Sequence, residues 1–244
     1  MCLLALFYRV VDDALFVVGA NREEFYQRGG EPPRVLDGPV RAVGGVDPAA
    51  GGTWLGVNEH GVAVAVTNRQ LSELPERPRS RGLLARELLS ETSAAAAARH
   101  AVRELETKRY AGCNFLLVDG RSCIVVQGGD WLRIRPLPPG LHLLANGDVN
   151  DEADPRLAYA LFELQRTKYH EAEECVAALR RLLGLHEPDR PAMCLRRGDR
   201  GTVSASILVM RQQLSGSKYL HAQGPPDETL FEDYSELLRR LGGG

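Results

Sequence analysis

The chain opens Met1-Cys2-Leu3-Leu4-Ala5-Leu6-Phe7-Tyr8-Arg9-Val10-Val11-Asp12-Asp13-Ala14-Leu15-Phe16-Val17-Val18-Gly19-Ala20-Asn21-Arg22-Glu23-Glu24. Two apolar runs, residues 2–10 and 14–21, flank the Asp12-Asp13 pair and predict a β-hairpin. Its register decides what meets the first residues. A three-residue turn centred on Asp12 makes cross-strand partners sum to 24 and sets Arg22 against Cys2. A two-residue Asp12-Asp13 turn makes them sum to 25 and sets Glu23 there instead. Directly paired residues share a sheet face and lie about 5 Å apart. Either register therefore brings the Asn21-Arg22-Glu23-Glu24 cluster to Cys2.

Cys2 is the sharpest single feature of the sequence. A small side chain at position 2 permits removal of Met1 by the cell's aminopeptidase, which leaves a thiol and a free α-amine on one residue. The amine titrates at about 7.7–8, against about 10.4 for lysine, and the thiol at about 8.5. Such a nucleophile carries its own base. A guanidinium beside it, from Arg22, would favour the thiolate and anchor a substrate carboxylate. The plainer alternative is that Arg22, Glu23 and Glu24 form the solvated end of a strand.

Outward from the hairpin, residues 53–57 and 62–67 read as a second pair of strands around Asn58-Glu59-His60-Gly61. The Gly/Pro-rich connection from Gly29 to Gly52 between the two hairpins shows no regular period. A helical stripe runs from Gly82 to Lys108, helped by the alanine run 94–98. Strands are expected at 113–118 and 123–127 around an Asp119-Gly120 turn, then at 131–136 and 141–145. Helices follow at 155–168 and 171–184, the second closed by Gly184. Strands return at 202–210 and 219–223, and 230–241 reads as a last helix or a docked tail. Hairpins rather than βαβ units make the sheets antiparallel, with helices covering their faces. The expectation is an α+β fold, one domain over residues 1–244.

Composition removes several functions. The 244 residues are 44% hydrophobic and 25% charged, as in ordinary globular proteins. Thirty basic against thirty-two acidic residues give a net charge of −2, which argues against nucleic acid as a partner. Only Lys108, Lys168 and Lys218 are lysines, and no P-loop is present. Five cysteines form an odd, sparse set without CxxC spacing; Cys113 and Cys123, among apolar strand-like residues, read as buried free thiols, in a reducing, cytoplasmic setting. The apolar opening has no basic region before it and is broken by Arg9, Asp12 and Asp13, unlike a signal peptide. No apolar stretch reaches the length of a membrane span. His60, His100 and His142 have no zinc-ligand spacing, and the acidic loop Asp148–Asp154 lacks the pattern of a calcium loop. No metal or cofactor is expected. Asn68 and Asn146 each close an apolar strand, where an amide N–H can serve a developing oxyanion or simply begin a turn.

Three stretches together carry a family resemblance. They are Met1-Cys2, then Ala20-Asn21-Arg22-Glu23-Glu24-Phe25-Tyr26-x-Arg28, then Gly51-Gly52-Thr53-Trp54-Leu55-Gly56. With Gly61…Thr67-Asn68 and Gly201-Thr202-Val203-Ser204-Ala205-Ser206-Ile207-Leu208, the sequence resembles the NRDE family, also called Transport and Golgi organisation 2 homologues. It departs from that pattern where the motif's Asp is Glu23, and where Thr202-Val203 replaces a Thr-Arg pair, with Arg200 nearby. The resemblance implies an N-terminal-nucleophile hydrolase fold, a four-layer αββα sandwich. By analogy with the bile-salt hydrolase and penicillin V acylase group, it implies Cys2 as nucleophile and Arg22 as the strand-two arginine. Glu23 or Glu24 would be the nearby carboxylate, and Asn68 and Asn146 the oxyanion asparagines. Asn21, Glu24, Trp54 and Arg200 are the residues expected around the substrate. The activity so implied is an amidohydrolase or acyl transferase acting on a small non-peptide amide or thioester. The alternative is a non-catalytic protein that binds or moves haem, a lipid or acyl-CoA through the same cleft.

Overall fold

The computed structural model describes residues 3–242, so Cys2 lies outside the described residues. In chain order the strands are β1 (Leu3–Tyr8), β2 (Phe16–Phe25), β3 (Glu31–Leu36), β4 (Ala42–Val46), β5 (Leu55–Asn58) and β6 (Ala63–Asn68). Helices α1 (Arg81–Leu88) and α2 (Ala94–Glu106) lead to β7 (Cys113–Val118), β8 (Cys123–Gly128), β9 (Arg133–Pro136) and β10 (Gly140–Leu144). Then come α3 (Pro155–Gln165), α4 (Ala172–Leu183), β11 (Arg196–Arg197), β12 (Arg200–Met210), β13 (Lys218–Ala222), β14 (Glu232–Asp233) and α5 (Ser235–Gly242).

These strands form two antiparallel sheets. The first has the order β10-β1-β2-β12-β13-β14, with β11 also on β12, and the second runs β3 to β9 in sequence order. Three apolar clusters fill three interfaces. Leu3, Ala5 and Phe7 of β1 pack with Leu157, Leu161, Leu179 and Leu183 of α3 and α4. The intervening residues Leu4, Leu6 and Tyr8 face Leu55, Ala65, Leu116 and Val125 of the second sheet. The far side of that sheet, with Val64, Phe115 and Val126, meets Leu84, Leu88, Ala97 and Ala101 of α1 and α2. Alternate residues of each strand thus serve opposite faces, as the pleat requires. The result is helix layer, sheet, sheet, helix layer, the architecture anticipated.

The first hairpin takes the register centred on Asp12: Leu3 pairs with Asn21 and Tyr8 with Phe16. The seven-residue connection is closed by Arg9 N–H donating to the Leu15 carbonyl at 3.0 Å.

Three expectations need correction. The helix over 82–108 is two helices, because Ser93 turns its hydroxyl to Ala96 N at 3.2 Å and starts a new one. The polar stretch Ser90-Glu91-Thr92-Ser93 competes for backbone groups and breaks the first helix. The irregular connection 29–52 contains β3 and β4. Its period is hidden by Gly44 and Gly45: a Cβ on Gly45 would stand 2.3 Å from Trp54 Cζ2, so the position carries no side chain. The turn between β7 and β8 is centred on Gly120-Arg121, one residue later than expected, since Asp119 still pairs with Ser122. The Asp119 carboxylate accepts from Arg121 N, Ser122 N and Ala94 N, each at 2.7 Å, which ties the hairpin to the start of α2. Gly184 does close α4, though in a right-handed conformation. The C-terminal segment supplies the short β14 and then α5.

Candidate functional site

The site forms where β2 runs out from under the sandwich. Alternation along this strand sends its polar residues to opposite faces. Asn21 is buried on the helix side, and its Nδ2 donates to the Leu183 and Met193 carbonyls, both at 2.9 Å. Its amide fastens the α4 end to the sheet. Arg22 points between the sheets, where its guanidinium lies 4.3 Å from the Trp54 ring centroid. Its Nε donates to the Gly29 carbonyl at 3.0 Å, and Nη2 lies 3.9 Å from Glu24 and 3.8 Å from Asp47. Opposite it, β12 carries a bulge: Thr202 pairs with Glu23 and Ser204 with Arg22, so Val203 is the extra residue.

Two acid–base clusters result. Glu23 pairs with Arg156 of α3, Oε1 to Nη2 at 2.5 Å, and the same Nη2 donates to the Met193 carbonyl at 3.1 Å. Burial pushes the Glu23 carboxyl up, against the opposing pull of Arg156. On the cleft side, Arg28 grips Asp47 through Nε at 3.1 Å and through Nη2, and lies 3.7 Å from Glu24. Burial alone would raise Asp47, but the Arg28 hydrogen bond and the charges of Arg28 and Arg22 outweigh it and hold the carboxyl below its usual range. Both glutamates left open by the sequence line the cleft, Glu24 with Arg22 and Arg28 and Glu23 with Arg156.

A cleft of about 300 Å³ opens here, lined among others by Arg22, Glu24, Asp47, Trp54, Asn68 and Arg81. Asn68 ends β6 on the second sheet, and Asn146 follows β10 on the first. Asn68 lines the cleft and Asn146 does not, but their chain neighbours are bonded to one another across the sheets. Thr67 Oγ1 donates to the Ala145 carbonyl at 2.6 Å, and Arg69 Nη1 donates to the Gly147 carbonyl at 3.0 Å. The residue before and the residue after each asparagine are therefore held to one another. Such a pair of amides can offer N–H groups to a developing negative oxygen.

Arg200 is not brought to this place. It is exposed, stacked 4.2 Å over Phe25 and 3.4 Å from Asp199, and it does not line the cleft. Nor does Asn21 line it, its donors being spent on backbone carbonyls. Sequence reasoning missed Asp47 and Arg156. Asp47 lay in the stretch where no period was visible, and Arg156 carried no signal beyond following the Asp154-Pro155 helix start. Arg28 stood in the quoted motif without an assigned role.

Cys113 and Cys123 are buried free thiols, as expected, and so are Cys175 and Cys194; burial pushes each up to about 12. Among the described residues no group of His, Cys, Asp or Glu is arranged to hold a metal ion, and no helix is long and apolar enough to cross a membrane.

Two facing antiparallel sheets between helix layers, with polar residues gathered at one end of the strands, define the N-terminal-nucleophile hydrolase fold. Solved structures agree. Penicillin V acylase from Agrobacterium tumefaciens superposes with a TM-score of 0.61 at 15% identity, over 96% of this chain and 87% of that one. An N-acylethanolamine-hydrolyzing acid amidase ortholog from Caenorhabditis elegans gives 0.59 at 13%, over 85% and 92%. A variant of conjugated bile acid hydrolase from Clostridium perfringens gives 0.61 at 12%, over 98% and 94%. At these identities the similarity is one of fold. The chain belongs to the Transport and Golgi organisation 2 family, whose model matches residues 1–213. No protein of curated function matches the sequence.

Proposed function

We propose that the protein is an amidohydrolase or acyl transferase that uses Cys2, freed by loss of Met1, as its nucleophile on a small non-peptide amide or thioester. One observation carries this reading: the strands on either side of β1 bring Arg22 and Asn146 to its open end. β1 pairs Leu3 with Asn21 on one side and Leu4 with Leu144 on the other. Arg22 is the next residue of β2 after Asn21, and Asn146 follows two residues after Leu144.

In this mechanism the Cys2 thiol gives its proton to its own α-amine and Sγ attacks the substrate carbonyl. Arg22 favours the thiolate. The amides of Asn146 and Asn68 hold the negative oxygen of the tetrahedral adduct. The adduct collapses by breaking the bond to the leaving amine or thiol, which takes the proton from the α-amine. Water then attacks the thioester, releases the acid and restores the thiol, or an acceptor takes the acyl group in its place. The Glu24–Arg28–Asp47 cluster keeps the cleft polar.

Alkylation of the native protein with iodoacetamide across pH 5–9, mapped by peptide mass spectrometry, tests this. Met1 is expected to be absent and Cys2 to react well below pH 8, with Cys113, Cys123, Cys175 and Cys194 inert as internal controls. Retained Met1, or a Cys2 as inert as those four, overturns the proposal in favour of ligand binding without catalysis. On any substrate found by screening, Cys2→Ala is expected to abolish turnover.

A further inference from the structure

Three buried polar side chains of the second sheet stand in a row that the fold alone does not require. Thr67 of β6 pairs directly with Asn114 of β7, and Asn114 with Gln127 of β8. They are 1%, 0% and 0% exposed. Two residues along each strand, on the same face, the corresponding row is Ala65, Leu116 and Val125, all apolar and all in the inter-sheet core. Replacing such a row by hydroxyl and amide groups costs free energy unless every bond is made.

The bonds go to one segment of the opposite sheet. Thr67 Oγ1 and Asn114 Nδ2 both donate to the Ala145 carbonyl, at 2.6 and 3.2 Å, and Asn114 Nδ2 also reaches the Gly147 carbonyl at 3.3 Å. Gln127 Nε2 donates to Asn114 Oδ1 at 3.1 Å and to Asp148 Oδ1 at 2.9 Å. Gln127 leaves its own Oε1 without a hydrogen-bond partner, so the donor side alone dictates its pose. Every partner on the far side lies within two residues of Asn146.

We propose that Thr67, Asn114 and Gln127 are positioning residues whose row of bonds sets Asn68 and Asn146 as a preorganised pair of oxyanion donors. The inference rests on the hydrolase reading above and adds what makes that pair rigid. The row bonds the backbone on either side of Asn146 and starts from the residue before Asn68. Stabilisation of a developing charge depends on donors that are in place before it forms.

The test compares two reactions of Cys2. Acylation by p-nitrophenyl acetate builds an oxyanion, whereas alkylation by iodoacetamide displaces iodide from a saturated carbon and builds none. Thr67→Val and Gln127→Met keep shape and remove the donors, and Thr67→Ser keeps the hydroxyl. Acylation is expected to fall roughly 10- to 100-fold in the first two, below the 10²–10³ loss typical of deleting a donor outright. Alkylation is expected to stay within about twofold, and Thr67→Ser to acylate at close to the wild-type rate. Folded variants that acylate like wild type overturn the inference, as does an equal fall in both reactions, which marks general loosening. A wild-type Cys2 that p-nitrophenyl acetate does not acylate overturns the hydrolase reading itself, and the two failures are told apart by that control.

Discussion

Asp47 is 5% exposed, and its charge is held by Arg28 and Arg22 rather than by water. Its carboxyl therefore titrates below the ordinary value of 3.8 in the folded protein. A depressed acid contributes stability above its unfolded pKa and loses that contribution as pH falls through the folded value. Asp47→Asn is expected to cost about 2 kcal/mol at neutral pH, the range for a hydrogen bond between charged groups. The difference from wild type should shrink as pH drops below about 4, because the wild-type carboxyl then also protonates. Urea titrations of both proteins at pH 3 and pH 7 measure this, and a gap that does not narrow in acid contradicts it. Little of this residue's role was legible in the sequence. Arg22 and Cys2 announced themselves through spacing around one turn, whereas Asp47 joins the cluster only by standing across the cleft from β2.

The elements were mostly legible, because alternation and helical stripes are local. The exceptions have local causes of their own. Glycines erased the period of β4, where Trp54 takes the space that side chains would fill. The break between α1 and α2 was masked by the strong helix formers that follow it, although Ser93 is a good capping residue and the hydrogen bond it accepts is present. Ser93→Ala is expected to cost about 1 kcal/mol. Asp119 holds Ala94 N in the same turn, so the helix should persist without the serine. Denaturant unfolding followed by far-UV circular dichroism would show a lower midpoint with an unchanged folded-state spectrum. A lost helical signal would mean that Asp119 alone cannot start α2.

At the scale of the molecule, the inter-sheet core draws on both sheets and on α5, with Leu238 and Leu241 closing one end. The chain has two tryptophans. Trp54 is buried in that core, and Trp131 is 47% exposed near the start of β9. If the layers fold as one unit, the Trp fluorescence change and the far-UV circular dichroism change should coincide in denaturant. Removal of Trp131 by Trp131→Phe should leave the fluorescence transition at the same midpoint. Two separated transitions would mean that the sheets come apart independently.

The sequence by itself determined the antiparallel α+β class, the hairpin that sets Arg22 near the first residues, and the burial of Cys113 and Cys123. These follow from periods of two and of about 3.6 residues, which any stretch of chain displays on its own. The family membership it suggested agrees with the match over residues 1–213. Only the tertiary structure decided that the first hairpin takes the register centred on Asp12. It also decided that Glu24 stands with Arg22 while Glu23 pairs with Arg156, that Arg200 stays outside, and that the segments carrying Asn68 and Asn146 are bonded across the sheets. The pairing of Glu23 with Arg156 and the bonds around Asn68 and Asn146 join residues far apart in the chain. They depend on how two sheets stack and how a bulge aims a strand end, and neither leaves a mark on local periodicity.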